Sequence, residues 1–232
     1  MSRTFHFNRT HWLPVVLVVM SLILLISPNL FIVVFLFIVA LLYTVISEKK
    51  GERFRSLGFV RTKNLMRVVL VCALIGTVTE FFFQVTVNPM LERACRHNID
   101  LDNFFFVKNN IAFLVVMVLY GWLQGALIEE ILFRGFLLKK LLVISDTFQH
   151  LRKNKEVIMV IYSSILFASI HRYQGLSGVI STGMISLIFG YYFIRSNYNL
   201  LYPVLIHGFM NTTAFTIIYF NANDALRNLL YK

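Results

Sequence analysis

LIEEILFRG, residues 127–135, sets two adjacent glutamates and an arginine inside a run that is otherwise apolar. Whether that run is a soluble core helix or a membrane span decides the fold. Of 232 residues, 58% are hydrophobic and only 14% charged, outside the range of an ordinary soluble domain. The apolar residues fall into runs near the ~20 residues that cross about 30 Å of hydrocarbon as helix. The expectation is therefore an all-α, polytopic transmembrane helix bundle with no room for a separate soluble domain.

The runs read as seven spans, or eight, at 12–26, 30–46, 65–87, 111–138, 157–170, 176–194 and 200–220. Ser27-Pro28-Asn29 separates the first two, because proline lacks a backbone donor and pushes its predecessor out of helical geometry. The expected organisation is an N-terminal hairpin with a basic loop over 1–64, followed by a membrane-embedded catalytic bundle over 65–232. Residues 1–11 carry Arg3 and Arg9 ahead of an apolar run, as a secretory signal does. No A-x-A-like site follows, so the segment is expected to be retained.

Loop charge orients the spans. Residues 47–67 hold Lys49, Lys50, Arg53, Arg55, Arg61, Lys63 and Arg67, and residues 139–156 hold Lys139, Lys140, Arg152, Lys153 and Lys155. Both are expected on the cytoplasmic side, and 88–110, which balances three cations against three acids, on the outer side. This places the N-terminus inside. The net charge of +11 is then concentrated where anionic lipid lies, and nucleic acid is not an expected partner, since no reading motif accompanies the charge. Cys72 and Cys95 fall at different depths and are not expected to pair. Gly178, Gly183 and Gly190 would permit close helix packing.

Ionisable groups at bilayer depth cost at least about 2.5 kcal/mol each and face the bundle interior or a wet cavity. Here they are Glu80, Glu129, Glu130, Arg134, His171 and His207. Glu130 and Arg134 are four apart and share a helix face, whereas Glu129 points elsewhere. A carboxylate tied to an arginine stays ionised and structural, while an unpaired one in a desolvated pocket can act as general base. That makes Glu129 the candidate base. Phe167 with His171 and His207 with Asn211 repeat the i, i+4 spacing. His207 and Asn211 could present donors to an oxyanion, and His171 could orient the water that Glu129 deprotonates or bind a metal.

Plainer readings stand beside these. Each histidine could be a hydrogen-bonded structural residue, the Glu129/Glu130/Arg134 triplet a packing clamp, and Phe167 core packing. For Glu80 and Gln84, one turn apart, a packing hydrogen bond is favoured over a site role.

The ordered set Glu129-Glu130-x-x-x-Arg134, Phe167-x-x-x-His171 and His207-x-x-x-Asn211 resembles the CPBP family of CAAX-processing proteases and bacteriocin-processing or immunity proteins, also called the abortive-infection family. The resemblance implies an intramembrane endopeptidase in which Glu129 activates water, His171 assists it and His207 with Asn211 forms the oxyanion site. Glu130 and Arg134 support them. Zinc on Glu129, His171 and His207 is the less favoured variant, because no H-E-x-x-H helix is present. The implied substrate is a membrane-associated peptide or protein, and the short chain points to a bacterial plasma membrane. Two other classes compete: a non-enzymatic immunity or peptide-binding protein on the same scaffold, and a transporter using Glu80, Gln84 and the Glu129/Glu130 pair. One conflict is visible in the sequence. Glu129 falls toward the inner end of its span and His171 toward the outer end of the next. Their convergence requires that the fifth span begin below the inner surface and tilt, or that 139–157 re-enter the membrane.

Overall fold

The computed structural model describes residues 12–27, 29–148 and 153–227, so the expectations for residues 1–11 and for Pro28 lie outside the described residues. Within them the regular elements are helices: α1 Leu13–Ile26, α2 Leu30–Ser47, α3 Arg53–Ser56, α4 Leu65–Cys95, α5 Ile111–Ser145, α6 Lys155–Ser169, α7 Gly175–Arg195, α8 Leu201–Tyr219 and α9 Asn223–Arg227. Four of them, α4, α5, α8 and α7 with its leading turn from Arg172, are long and apolar enough to cross a membrane, and α1 and α2 are shorter apolar helices. The chain is an all-helical integral membrane bundle.

Local chemistry sets the helix ends. Asn29 caps α2 by accepting the Ile32 amide at 3.0 Å, and Asn110 caps α5 by accepting the Phe113 amide at 3.2 Å. Arg96 (φ 53°) turns the chain out of α4, and Asn197 and Tyr198 (φ 58° and 60°) turn it out of α7.

Two helices outrun the spans read from hydropathy. α4 continues past Val87 to Cys95, because a π-helical turn over Phe83–Val87 absorbs the proline at 89, which then occupies the first turn of the Asn88–Cys95 segment. α5 continues past Leu138 to Ser145. Lys139 and Lys140, read above as loop cations, are buried at its end, where Lys139 Nζ donates to the Arg55 carbonyl at 3.1 Å and Lys140 Nζ pairs with Glu48 at 2.8 Å.

Packing brings α8 to the centre, against α4, the middle of α5 and α7. Gly76 lets α4 and α8 touch: a Cβ there would stand 2.5 Å from the Ile206 carbonyl oxygen. Beside it, the Thr213 hydroxyl donates to that of Thr77 at 3.3 Å. Of the three glycines singled out in α7, a Cβ at Gly190 would stand 2.6 Å from Val160 of α6 and one at Gly183 3.4 Å from Ala168, while one at Gly178 would meet Gln174 of its own leading turn. The buried cluster is continuous, with Leu17, Leu24 and Leu36 of the N-terminal hairpin in the same core as Phe133, Phe136, Phe167 and Phe189. Gln84 donates to Glu80 at 2.8 Å inside α4, the packing bond expected of that pair.

Polar ties close the two ends of the bundle. At one end the Leu200 amide donates to the Gly58 carbonyl at 2.8 Å and Asn199 Nδ2 to the Thr62 hydroxyl at 2.9 Å. At the other the Asp100 amide donates to the Gln174 carbonyl and the Asn109 amide to the Tyr219 carbonyl, both at 3.1 Å.

A methyl group at position 76 meets backbone that cannot yield, so Gly76→Ala is expected to cost about 1–3 kcal/mol as an overpacked contact. Gly183→Ala meets only ordinary van der Waals contact and is expected to leave stability near wild type. Thermal unfolding of the two purified variants in detergent checks this ordering.

Candidate functional site

The middle of α5 is wound more widely than an α-helix. Gly121–Glu129 and Ile131–Leu138 are π-helical, with i→i+5 bonding of the kind that collects at functional sites. Glycines on this stretch admit α8. A Cβ at Gly125 would lie 2.6 Å from Asn211 Nδ2 and 3.6 Å from His207 Nε2, and one at Gly121 would lie 3.1 Å from Asn211 Cβ. His207 and Asn211, one turn apart on α8, therefore face the bare backbone of α5. Asn211 Nδ2 donates to the Gly121 carbonyl at 2.9 Å, which uses one of its two N–H groups and leaves the other.

At the centre lies a buried charge network. Arg134 Nη1 pairs with Glu130 Oε1 at 2.9 Å, with side chains only 1% and 0% exposed. The other guanidinium nitrogen, Nη2, donates to the Ser186 carbonyl at 3.0 Å and to the Ser186 hydroxyl. Rings of Phe167 and Phe189 flank the guanidinium at 4.6 and 5.2 Å. Glu130 Oε1 also meets His207 Nδ1 at 3.0 Å, and Phe189 stacks on the His207 ring at 4.7 Å and 21°. An ionised carboxylate only accepts, so Nδ1 carries the proton and Nε2 is the nitrogen turned toward Gly125. Charges this deep are tolerated because each is paired and hydrogen-bonded.

His171 ends α6, and its Nδ1 meets the Phe167 carbonyl at 3.1 Å. That carbonyl can only accept, which fixes the proton on Nδ1 and leaves Nε2 as an acceptor. Phe167 packs against both histidines, with centroid distances of 5.0 Å to His171 and 6.0 Å to His207. It is core packing, and it also spaces the two rings. Glu129 is only partly buried and has no hydrogen bond or ion pair to another described side chain. It lies within electrostatic range of Glu130, Arg134, Tyr120 and Tyr173.

Helix lengths bear on the depth conflict, while no hydrogen bond or ion pair joins Glu129 to His171 among the described residues. α5 extends far enough that Glu129 sits near its midpoint, and α6, with 15 residues, is about 22 Å long, short of the roughly 30 Å hydrocarbon thickness.

Among the described residues no three His, Cys, Asp or Glu side chains converge as ligands of one ion. The carboxylate that engages His207 is that of Glu130, at 3.0 Å from Nδ1. Two contributors came from outside the motifs: Ser186, which anchors Arg134, and Phe189, which faces His207. Their only sequence signal is a polar residue and a phenylalanine three apart on the glycine-rich helix that the motifs skip.

The model of the family described as type II CAAX prenyl endopeptidase Rce1-like matches residues 110–213. This interval spans Glu129, Glu130, Arg134, His171, His207 and Asn211 and bears out the resemblance read from the three motifs. Neither the curated proteins nor the solved structures gave a match.

Removing one partner of the buried pair leaves the other uncompensated, so Arg134→Leu is expected to lose about 3–5 kcal/mol of stability. Ser186→Ala should lose about 1–3 kcal/mol, because Arg134 keeps the Ser186 carbonyl. Unfolding midpoints of the two variants in detergent give the comparison.

Proposed function

We propose, taking residues 110–213 as the Rce1-like core of this chain, that the protein is an intramembrane endopeptidase in which Glu129 activates the attacking water. The observation that carries the reading is the division of labour between adjacent carboxylates. Glu130 is bound to Arg134 and His207, while Glu129 is held by neither. A general base must be free to take and release a proton, and only Glu129 has that freedom.

In this mechanism His171 Nε2 accepts one proton of the water as a hydrogen bond and aims its oxygen. Glu129 takes the other proton as the oxygen adds to the scissile carbonyl. The oxyanion receives the remaining Asn211 N–H and, when the ring carries both protons, His207 Nε2–H, with the Glu130 carboxylate beside Nδ1 balancing the imidazolium. Glu129 then returns its proton to the departing amine nitrogen as the C–N bond breaks. No step requires a metal.

The basic end supports a second element of the reading, contact with anionic lipid. Lys49, Lys50, Arg55, Arg61, Lys63 and Arg67 are exposed there, whereas Lys139 and Lys140 are turned inward. Cations near an anionic leaflet contribute about 1 kcal/mol each. In nanodiscs, added phosphatidylglycerol should raise the unfolding midpoint, and Arg61→Gln/Lys63→Gln/Arg67→Gln should remove most of that gain.

A non-enzymatic immunity or peptide-binding protein would retain the Glu130–Arg134–Ser186 clamp for packing alone. Glu129→Gln separates the two classes. Membrane-peptide profiles of cells carrying wild-type and Glu129→Gln chains are expected to differ by cleavage products that the variant lacks, at equal membrane insertion. Identical profiles, with immunity unaffected, would assign the scaffold to binding.

A further inference from the structure

Buried polar side-chain atoms are almost always hydrogen-bonded, and each exception calls for a reason. Among the described residues four such atoms lack a partner: Gln84 Oε1, Gln124 Nε2, Glu130 Oε2 and Asn223 Oδ1. Gln84 and Glu130 keep a partner through another side-chain atom. Gln124 Nε2 is the one donor of the four, and its residue, 7% exposed, lies on the π-helical stretch Gly121–Glu129.

Gln124 shares its turn of α5 with the Asn211 amide. Asn211 Nδ2 donates to the Gly121 carbonyl at 2.9 Å and would stand 2.6 Å from a Cβ at Gly125, so it lies along the backbone that carries Gln124. Glu129 follows five residues later. In an α-helix residues four apart share a face, and where the backbone bonds i→i+5 residues five apart do so. Gln124 therefore stands one turn before Glu129 on the same side of α5. No hydrogen bond joins the two, since Gln124 Nε2 has no partner.

Methionine or leucine would fill this position without an unpaired donor. A glutamine buried there alone weakens the folded protein, and its N–H groups become favourable only when a ligand brings an acceptor. A peptide backbone offers a carbonyl acceptor at every residue. Building on the endopeptidase reading given above, we propose that Gln124 is a substrate-binding residue. Its carboxamide N–H donates to a backbone carbonyl beside the scissile bond, one turn of α5 from Glu129, while the Asn211 amide serves the scissile carbonyl itself. Because a main-chain carbonyl is common to all peptides, this contact adds binding without choosing among side chains.

Gln124→Met keeps the length of the side chain and removes the donor. Unfolding midpoints in one detergent, without peptide, are expected to place Gln124→Met at or above wild type, because no bond within the folded protein is lost. In cells with equal membrane accumulation, cleavage products in the membrane-peptide profile are expected to fall about tenfold, the factor of one hydrogen bond. They should fall together, whatever their side chains. Gln124→Leu repeats both measurements should the methionine variant fail to accumulate. A midpoint clearly below wild type would show the amide already satisfied in the folded protein, as by a buried water, and overturns the proposal. Products that persist undiminished, or a loss confined to peptides sharing one side chain, overturn it as well. Glu129→Gln, profiled in parallel, separates this from the wider reading. Products that survive in Glu129→Gln end the endopeptidase assignment, whereas products lost there but kept in Gln124→Met end the role of Gln124 alone.

Discussion

The ion pair between Glu130 and Arg134 is the constraint around which the rest is arranged. In hydrocarbon-like surroundings neither charge is tolerable alone, and the pair is held in the bundle only because further groups complete it. Ser186 of α7 takes one guanidinium nitrogen, Phe167 and Phe189 flank the guanidinium, and His207 of α8 takes the carboxylate. Four helices are thereby fixed in depth and rotation by one cluster. The catalytic proposal inherits its geometry from that cluster: Glu130 sets which nitrogen of His207 faces α5, and Phe167 spaces the two imidazoles.

Adjacent glutamates with different duties follow from helix geometry. Neighbouring residues on a helix cannot face the same partner, so clamping Glu130 leaves Glu129 free. The π-helical winding of α5 adds the second requirement, close approach of α8, because bare backbone at Gly121 and Gly125 accommodates Asn211 and His207. A side chain at Gly125 would collide with Asn211 and displace the very amide that the mechanism uses.

Much of this was legible in the sequence because membrane burial enforces it. Apolar runs located the spanning helices, although α4 and α5 run on by eight and seven residues at their ends, and the i, i+4 spacing of Glu130 and Arg134 predicted their pairing. What failed has physical causes. Lys139 and Lys140 read as loop because lysine is rarely buried, yet the Arg55 carbonyl and Glu48 accept them. The π-helical winding left no hydropathy signature. Ser186 and Phe189 were invisible since their roles exist only opposite Arg134 and His207, partners far away in sequence. The depth conflict between Glu129 and His171 arose in part from treating all spans as equally long, whereas α6 has only 15 residues.

Since the account depends on Glu130 and His207 acting as one unit, a double-mutant cycle is its most direct test. Unfolding free energies would be measured for wild type, Glu130→Gln, His207→Gln and the double variant in one detergent. The account predicts that the double variant loses less than the sum of the single losses, with an interaction energy of about 0.5–3 kcal/mol, as for residues sharing a hydrogen-bond network. Losses that add to within about 0.3 kcal/mol, as for independent sites, would contradict it.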